Sequence, residues 1–370
     1  MKALFVTCHD IYDPYGNGGV KASRVNLKLM KECFGEELTV FSFRSPKDTI
    51  PPKGAKYVVQ PKDGLGMLIA NVLGGRRYYP WQLRNLRKII DEQHIDLIFV
   101  DNSVLGKTLR LGKTCKKVVF FHNIEADYTG NKVREQGWWY LPAYWCTIQN
   151  EKVAAQADMV ICLNKRDEAR LMERYKRKAD FLLPITFEDQ FDESRVQQGD
   201  PKHLLFLGSD FEPNRLSIEW FMENVMTKMP DYRLDIVGKG FENHKKEYEG
   251  RYQNVNVIGS VEDPDEYYYS HPIVVMPILY GAGMKVKTAE AMMFGRTILA
   301  SREALEGYDT EGVDGISCCT EPEDYILKLK EYEGQELPAY RQDVRRLFLQ
   351  KYETKVLKGC FAKKIKELME

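Results

Sequence analysis

Glu290 stands in an apolar setting, in the run AEAMMFG. Val286, Met293 and Phe294 lie three or four positions from it, so on a helix they share its face. A carboxylate on such a face needs a strong partner. Two kinds are available: Lys287, three residues earlier, or the hydroxyls of a ligand. Seven residues before Glu290 comes the end of a glycine turn, Gly281-Ala282-Gly283, where backbone can approach a ligand closely. Met284 and Lys285 follow it directly. A glycine turn that opens a helix is an anion site, because free N–H groups and the helix dipole face the incoming charge. At 1.5 Å per residue, Glu290 lies about 10 Å along the axis from Gly283. A nucleotide diphosphate seated on the turn would put its ribose near that depth.

Residues 273–276 form a short apolar strand ended by Pro277, a helix is expected over about 284–294, Gly295 stands at its C-terminal cap, and 297–300 is the next strand. A second turn of this kind follows the strand at 203–207: Gly208-Ser209-Asp210-Phe211-Glu212-Pro213-Asn214-Arg215, opening a helix. A third follows the first strand, 2–7, where Gly16, Gly18 and Gly19 precede a helix over about 20–34. It reads as a phosphate- or sugar-type site or as a flexible loop. The strands at 96–100 and 117–121 end in Asp101-Asn102 and His122-Asn123-Ile124-Glu125. Polar residues at the carboxyl ends of parallel strands are where ligands bind. A lone histidine such as His122 is equally readable as a satisfied core residue.

Further strands are expected at 37–43, 56–59, 158–163, 181–183, 234–237, 255–258 and 316–319, with helical patterns between them. Strand-helix alternation predicts parallel sheets covered on both faces. Residues 184–202 are polar without a clear period and read as an interdomain linker. The expected organisation is a first α/β domain over 1–185, a second over 186–340, and a helical segment over 341–370.

The chain has 370 residues, enough for two domains, with 54 basic and 54 acidic side chains. Zero net charge gives no sign of a nucleic-acid surface. Eight cysteines lack C-x-x-C spacing and read as reduced core thiols of a cytoplasmic protein. The apolar start before Thr7 is too short for a signal peptide, and no apolar run reaches membrane-spanning length. The stretch from Arg76 to Trp81 reads either as a peripheral membrane or lipid-acceptor patch, or as buried helices with a basic exposed face. Trp138, Trp139 and Trp145 either line an acceptor site or pack the first core. Gly238-Lys239-Gly240 has Asn243 where a dinucleotide fingerprint needs its third glycine, so NAD binding is not expected. Asp263-Pro264-Asp265 reads as a helix start and not as a metal-binding D-x-D. No His/Cys cluster has zinc spacing.

The pattern P-x-x-x-G-x-G-x-K-x-K-x-x-E-A-M-x-x-G from Pro277 to Gly295 resembles the donor-binding segment of the family 4 glycosyltransferases. These are retaining enzymes with two Rossmann-like doubly wound domains facing a central cleft, the GT-B fold. The resemblance covers nearly the whole chain and is most specific over 208–307. It implies that Glu290 holds the ribose hydroxyls and that the turn amides hold the diphosphate. It also implies that His122 approaches the donor sugar and that the C-terminal segment crosses back to the first domain. The implied donor-binding residues are Gly18, Gly19, Gly208, Asn214, Gly281, Gly283, Met284, Lys285 and Glu290; the implied catalytic ones are His122, Arg215 and Lys287. Two departures stand out. Ala282 replaces a glutamate that usually touches the transferred sugar, as in a G-A-G subset of the family. Ser209 replaces a usual arginine, and Lys285 or Lys287 would supply the missing charge. Lys287 is the expected one, since it borders the ribose face and two residues on a helix point apart.

The resemblance implies metal- and cofactor-free transfer of a hexose from a nucleotide diphosphate sugar to a hydroxyl of a glycan or lipid-linked acceptor, in cell-surface polysaccharide assembly. The location would be cytoplasmic, with peripheral contact on the inner membrane face. The rivals are a nucleotide-sugar epimerase of the same fold and a degenerate subunit that binds the donor without catalysis. The sequence names neither sugar, nucleotide nor acceptor.

Overall fold

The computed structural model describes residues 1–13, 18–44, 51–61, 64–281 and 283–370. In chain order its elements are β1 (Ala3–Thr7), α1 (Gly18–Phe34), β2 (Leu38–Arg44), β3 (Lys56–Val59), α2 (Gly64–Val72), α3 (Leu83–Gln93), β4 (Leu97–Val100), β5 (Lys116–Phe121), α4 (Glu125–Gln136), α5 (Leu141–Ala154), β6 (Met159–Cys162), α6 (Lys165–Tyr175) and β7 (Phe181–Leu182). There follow β8 (His203–Leu207), α7 (Glu212–Asn224), β9 (Arg233–Val237), α8 (Lys245–Arg251), β10 (Val255–Gly259), α9 (Asp265–Ser270), β11 (Ile273–Met276), α10 (Val286–Met293), β12 (Thr297–Ala300), β13 (Ile316–Cys318), α11 (Pro322–Glu331), α12 (Gln342–Lys351) and α13 (Thr354–Met369).

The chain divides into two units, one of residues 1–184 with 357–370 and one of residues 185–356. In the first, seven parallel strands run in the order β3-β2-β1-β4-β5-β6-β7. Strands β1, β4 and β6 are buried along their whole length. Continuous apolar runs of this kind are what a parallel sheet with both faces covered requires. Leu4, Val6, Phe41, Phe43, Ile98, Val119 and Phe121 are among the residues of its core. The end of α13 belongs here: Phe361 meets Phe99 edge-on and Lys358 pairs with Glu32 at 3.0 Å.

In the second unit six parallel strands run in the order β10-β9-β8-β11-β12-β13. Helix α12 belongs to it, so the return to the first unit comes at residue 357 instead of 341. The reason is Arg345. Its guanidinium makes two 2.8 Å bonds to Asp189, donates to the Met293 carbonyl at 2.6 Å, and lies over the Phe191 ring. It thereby fastens α12 to the end of α10. Gly295, at φ +61, is required there twice over: it ends α10 left-handed, and a Cβ would come within 2.7 Å of Arg345.

In each sheet the order reverses beside the first strand, between β1 and β4 and between β8 and β11. Loops leaving the carboxyl ends of those strand pairs flank a crevice, the usual ligand position in open α/β sheets.

Candidate functional site

In the second unit, the segment after β11 is fastened from several sides. Leu279 N–H donates to Ser217 on α7, Ser301 donates to the Ile278 carbonyl at 2.5 Å, and Tyr308 donates to the Lys285 carbonyl at 2.8 Å. Gly283 has φ +64, a conformation glycine adopts without strain. Ala282 lies outside the described residues. Helix α10 begins at Val286, so Met284 and Lys285 precede it instead of forming its first turn. This changes the geometry of the two lysines. Lys285 is extended and reaches back over the turn, its Nζ 2.9 Å from the Gly283 carbonyl and 2.6 Å from Glu303. A Cβ on Gly281 would meet the Lys285 side chain at 2.9 Å. Met284 is buried beneath the turn.

Glu290 is 6% exposed, with Lys287 Nζ 2.7 Å and the Tyr268 hydroxyl 3.3 Å from its Oε2. The ion pair with Lys287 is therefore present, and Tyr268 adds a second donor. Burial, and then the Glu290 charge, hold the Tyr268 hydroxyl well above its ordinary range, so it remains a donor.

The turn after β8 adjoins this segment. Gly208 and Gly238 approach so closely that a Cβ on Gly238 would lie 1.7 Å from the Gly208 carbonyl oxygen. That contact accounts for Gly238 without any dinucleotide motif. Asn214 donates to the Ser209 carbonyl at 3.0 Å and shapes the entry to α7. Arg215 is a third exposed and pairs with Asp210 at 3.1 Å, while His244 lies 3.1 Å from the other oxygen of Asp210. Arg215, Lys285 and Lys287 thus each face a carboxylate.

In the first unit Asp101, fully buried at the end of β4, is the centre of a polar cluster. It accepts from Thr7 at 3.0 Å, from Asn26 at 2.7 Å and from Ser23, and lies 3.2 Å from His122 Nε2. His9 meets Ser23 at 2.7 Å through Nδ1, and its ring stands edge-on to that of His122. Ser23 and Asn26 are on α1, which begins at Gly18, so Gly18 and Gly19 form its first turn; Gly16 lies outside the described residues. The loop carrying His122 is pinned by Glu151 on α5, whose carboxylate accepts from the Glu125 and Ala126 N–H groups, from Ser103 and from Tyr175. Burial pushes Glu151 up to about 7.

Burial alone would lower His122, but the Asp101 carboxylate outweighs it and the net shift is upward. His9 is lowered to about 3, by burial first and then by the charge on His122. Of the two rings, His122 is the first to take up a proton. Between about 6.5 and about 3 the unfolded chain binds a proton at residue 9 that the folded chain refuses, so stability falls as pH drops through that window. At higher pH the raised His122 acts oppositely: its contribution is complete below about 6.5 and is lost as pH rises through its folded value. Urea midpoints measured against pH should fall on the acid side in the wild type and flatten there in His9→Gln. An unchanged acid limb in the variant would contradict this assignment.

The Arg76–Trp81 stretch does not present a basic face. Tyr78 is 2% exposed, and Arg76 donates to Thr147 at 3.0 Å. Arg77 has a buried Nε with no hydrogen-bond partner among the described residues, and its charge bears on His9 and Cys8. Trp81 is the aromatic of this stretch that stays in solvent, at 53% exposure, and further exposed aromatics lie elsewhere. Trp138, Trp139 and Trp145 are 63%, 63% and 66% exposed, so they do not pack the first core. Asp263 accepts from the Asp265 N–H at 3.0 Å and starts α9. Asp101 and His122 are visible in the sequence as strand-end residues. Glu151 and His9 give no comparable signal, because contacts across the sheet are what bring them to the cluster.

Residues 201–332, all within the second unit, match the model of the family described as glycosyl transferases group 1. The chain is similar to the O-antigen biosynthesis glycosyltransferase WbnH of Escherichia coli, 24% identical over 197 residues, which are 51% of this chain and 54% of that protein. It thus spans about half the length of the first curated relatives it matches. It is 28% identical over 339 residues to a 44.6 kDa protein of the cps region of Klebsiella pneumoniae, covering 84% of this chain and 85% of that one. Among solved structures, the sucrose-phosphate synthase of Thermosynechococcus elongatus superposes with a TM-score of 0.73 at 14% identity, over 100% of this chain and 99% of that one. HepE of Anabaena, solved with UDP, gives a TM-score of 0.69 at 14% identity over 99% and 100%. The fold is thus α/β with two Rossmann-like parallel sheets, as in the GT-B glycosyltransferases.

Proposed function

We propose that this chain is a retaining glycosyltransferase of the family 4 type, moving a hexose from a nucleotide diphosphate sugar to a hydroxyl of a glycan or lipid-linked acceptor in polysaccharide assembly. The observation that carries this reading is the buried Glu290 carboxylate on the helix that a glycine turn opens at the sheet's switch point. The family match over 201–332, and the UDP with which HepE was solved, support a nucleotide-sugar donor. In the proposed reaction the bond from the anomeric carbon to the diphosphate breaks and a bond to the acceptor hydroxyl forms. Negative charge grows on the diphosphate, and fixed N–H groups with Arg215 and Lys285 stabilise it. The resemblance gives His122, held by Asp101 on a loop pinned by Glu151, the role of approaching the transferred sugar. No metal is needed in this scheme, since Asp263 and Asp265 are engaged in starting α9. The free state of all eight cysteines fits a reducing, cytoplasmic location.

Incubation with a panel of nucleotide sugars and a glycan acceptor, followed by mass spectrometry and proton NMR of the products, tests the proposal. A glycoside with retained configuration is expected. An epimerised sugar, or intact donor bound without turnover, would replace it with one of the rival readings.

A lipid-linked acceptor requires an approach to a membrane. No helix among the described residues is long and apolar enough to cross one. Helix α2 packs on α5, and both leave large apolar side chains in solvent: Leu65, Ile69 and Val72 on one, Leu141 and Trp145 on the other, with Trp138 and Trp139 just before. Exposed tryptophans among aliphatic residues suit a membrane interface. The wild type should co-sediment with anionic vesicles, and a Trp138→Ser, Trp139→Ser, Trp145→Ser variant should not. Equal sedimentation of the two would remove this surface from the proposal.

A further inference from the structure

At the amino-terminal edge of the second sheet, away from the glycine turns, three residues distant in sequence converge. His203 is the first residue of β8, Asp235 lies in the adjacent β9, and His271 ends α9 just before β11, the other neighbour of β8. His203 Nε2 lies 3.2 Å from Asp235 Oδ1, and His271 Nε2 lies 3.3 Å from Asp235 Oδ2. One ligand atom from each residue lies within 4.8 Å of the other two. Four ligands placed tetrahedrally at about 2.0–2.1 Å from a zinc ion are about 3.3 Å from one another. The two nitrogen–oxygen separations are already at that value.

The bonds of His271 aim one ring nitrogen at the cluster. Its Nδ1 is 2.9 Å from the Tyr267 carbonyl oxygen, which can only accept, so Nδ1 carries the hydrogen. Ser270 agrees with this assignment: its hydroxyl donates to the Glu266 carbonyl and is free to accept from Nδ1. Nε2 is left to face the cluster. That nitrogen is buried, has no aligned hydrogen bond, and confronts a carboxylate oxygen 3.3 Å away.

We propose that His203, Asp235 and His271 form a divalent-metal site suited to Zn²⁺, fastening the amino-terminal edge of the second sheet. Two imidazole nitrogens and one carboxylate oxygen form a mixed donor set that zinc accepts and that magnesium or calcium, which prefer oxygen, does not. The supporting bonds are those of a built site. The Tyr267 carbonyl orients His271, and the Asn256 amide donates to Asp235 Oδ1 at 3.0 Å. The His203 side chain is 34% exposed, which leaves a way in and room for a water as fourth ligand.

The site has a mechanical role. The segment entering the second unit is pressed against the loop that carries His271: Gln197 N–H donates to the Tyr269 carbonyl, Asp192 N–H donates to the Tyr269 hydroxyl, and a Cβ on Gly199 would lie 2.5 Å from Pro272. An ion tying His271 to β8 and β9 fixes the surface on which this segment rests. It lies at the wrong edge of the sheet to meet a donor phosphate. The ion is therefore structural, and metal-free transfer chemistry is compatible with it. Zinc spacing in the sequence gives no warning, because the ligands come from separate elements.

The test uses the full chain, stripped with a chelator and dialysed, then titrated with Zn²⁺ against a colorimetric zinc indicator, with melting followed in parallel. One equivalent should bind. At about 100 times the dissociation constant the melting temperature of the second unit should rise by roughly 5–10 °C. His203→Gln, on the exposed side of the cluster, should lose both the equivalent and the zinc-dependent rise, each read against its own metal-free melting temperature. Failure of the wild type to bind zinc would overturn the proposal and leave a proton as the occupant. Equal binding by His203→Gln would overturn it too, placing the ion elsewhere, as at His9, Asp101 and His122.

Discussion

Alanine in place of Arg215 or of Lys285 is expected to lower turnover by about 100-fold each, with a much smaller rise in the Michaelis constant. A departing nucleoside diphosphate gains negative charge in the transition state, and cations fixed nearby act with little screening. Loss of one such donor in other enzymes costs on the order of 100-fold in turnover. A group that acts mainly in the transition state changes turnover more than ground-state binding. Ser209 occupies the place of a usual arginine, so the remaining cations carry more of the work. The sequence favours Lys287 over Lys285 only if both are helical. Lys285 instead lies before α10, with its ammonium folded back over the glycine turn. Each is ion-paired, Lys285 with Glu303 at 2.6 Å and Lys287 with Glu290 at 2.7 Å, but only Glu290 is the expected ribose ligand. Lys287→Ala should therefore raise the Michaelis constant, by loosening Glu290, and leave turnover near wild type. Steady-state kinetics on the three single variants decides the matter. A large loss of turnover at Lys287 with Lys285 near wild type would restore the sequence-based assignment.

Glu290→Gln should weaken binding of the nucleoside diphosphate by roughly 10- to 100-fold, since a hydrogen bond to a charged group contributes about 1.5–3 kcal/mol. The difficulty is that Glu290 also has structural partners, Lys287 and Tyr268. Lys287→Met separates the two roles. It removes the ion pair and keeps the carboxylate. If Glu290 serves the ribose, the glutamine variant loses much more affinity than the methionine variant, whatever each does to melting. If Glu290 exists to hold Lys287, the two variants should lose stability alike and bind donor alike.

The legible parts of this chain are those with local causes. The apolar runs of β1, β8, β11 and β12 and the glycine stop at Gly295 are written in adjacent residues, and alternation of strand and helix carries the two-sheet fold. The strand-end residues Asp101 and His122 are visible for the same reason. What is hidden depends on packing between distant segments. Arg76 and Tyr78 read as interfacial because of their types, yet Thr147 and the first core take them in. Helix α10 starts two residues later than its sequence suggests, so Lys285 is extended instead of helical and its ammonium folds back over the turn. The placement of α12 follows from the bonds of Arg345 to Asp189 and Met293, which no periodicity reveals. The cluster of His203, Asp235 and His271 is hidden in the same way, assembled only when β8, β9 and β11 lie side by side.

The central claim is that the second unit binds a nucleoside diphosphate through its glycine turns and Glu290. Calorimetric titration of the purified chain with UDP, GDP and ADP, and with the matching monophosphates, tests it most directly. The expected result is one-to-one binding of at least one diphosphate, roughly tenfold or more tighter than its monophosphate, because the turn amides and cations address the second phosphate. Absence of binding by all the diphosphates, or equal affinity for mono- and diphosphate, would contradict it.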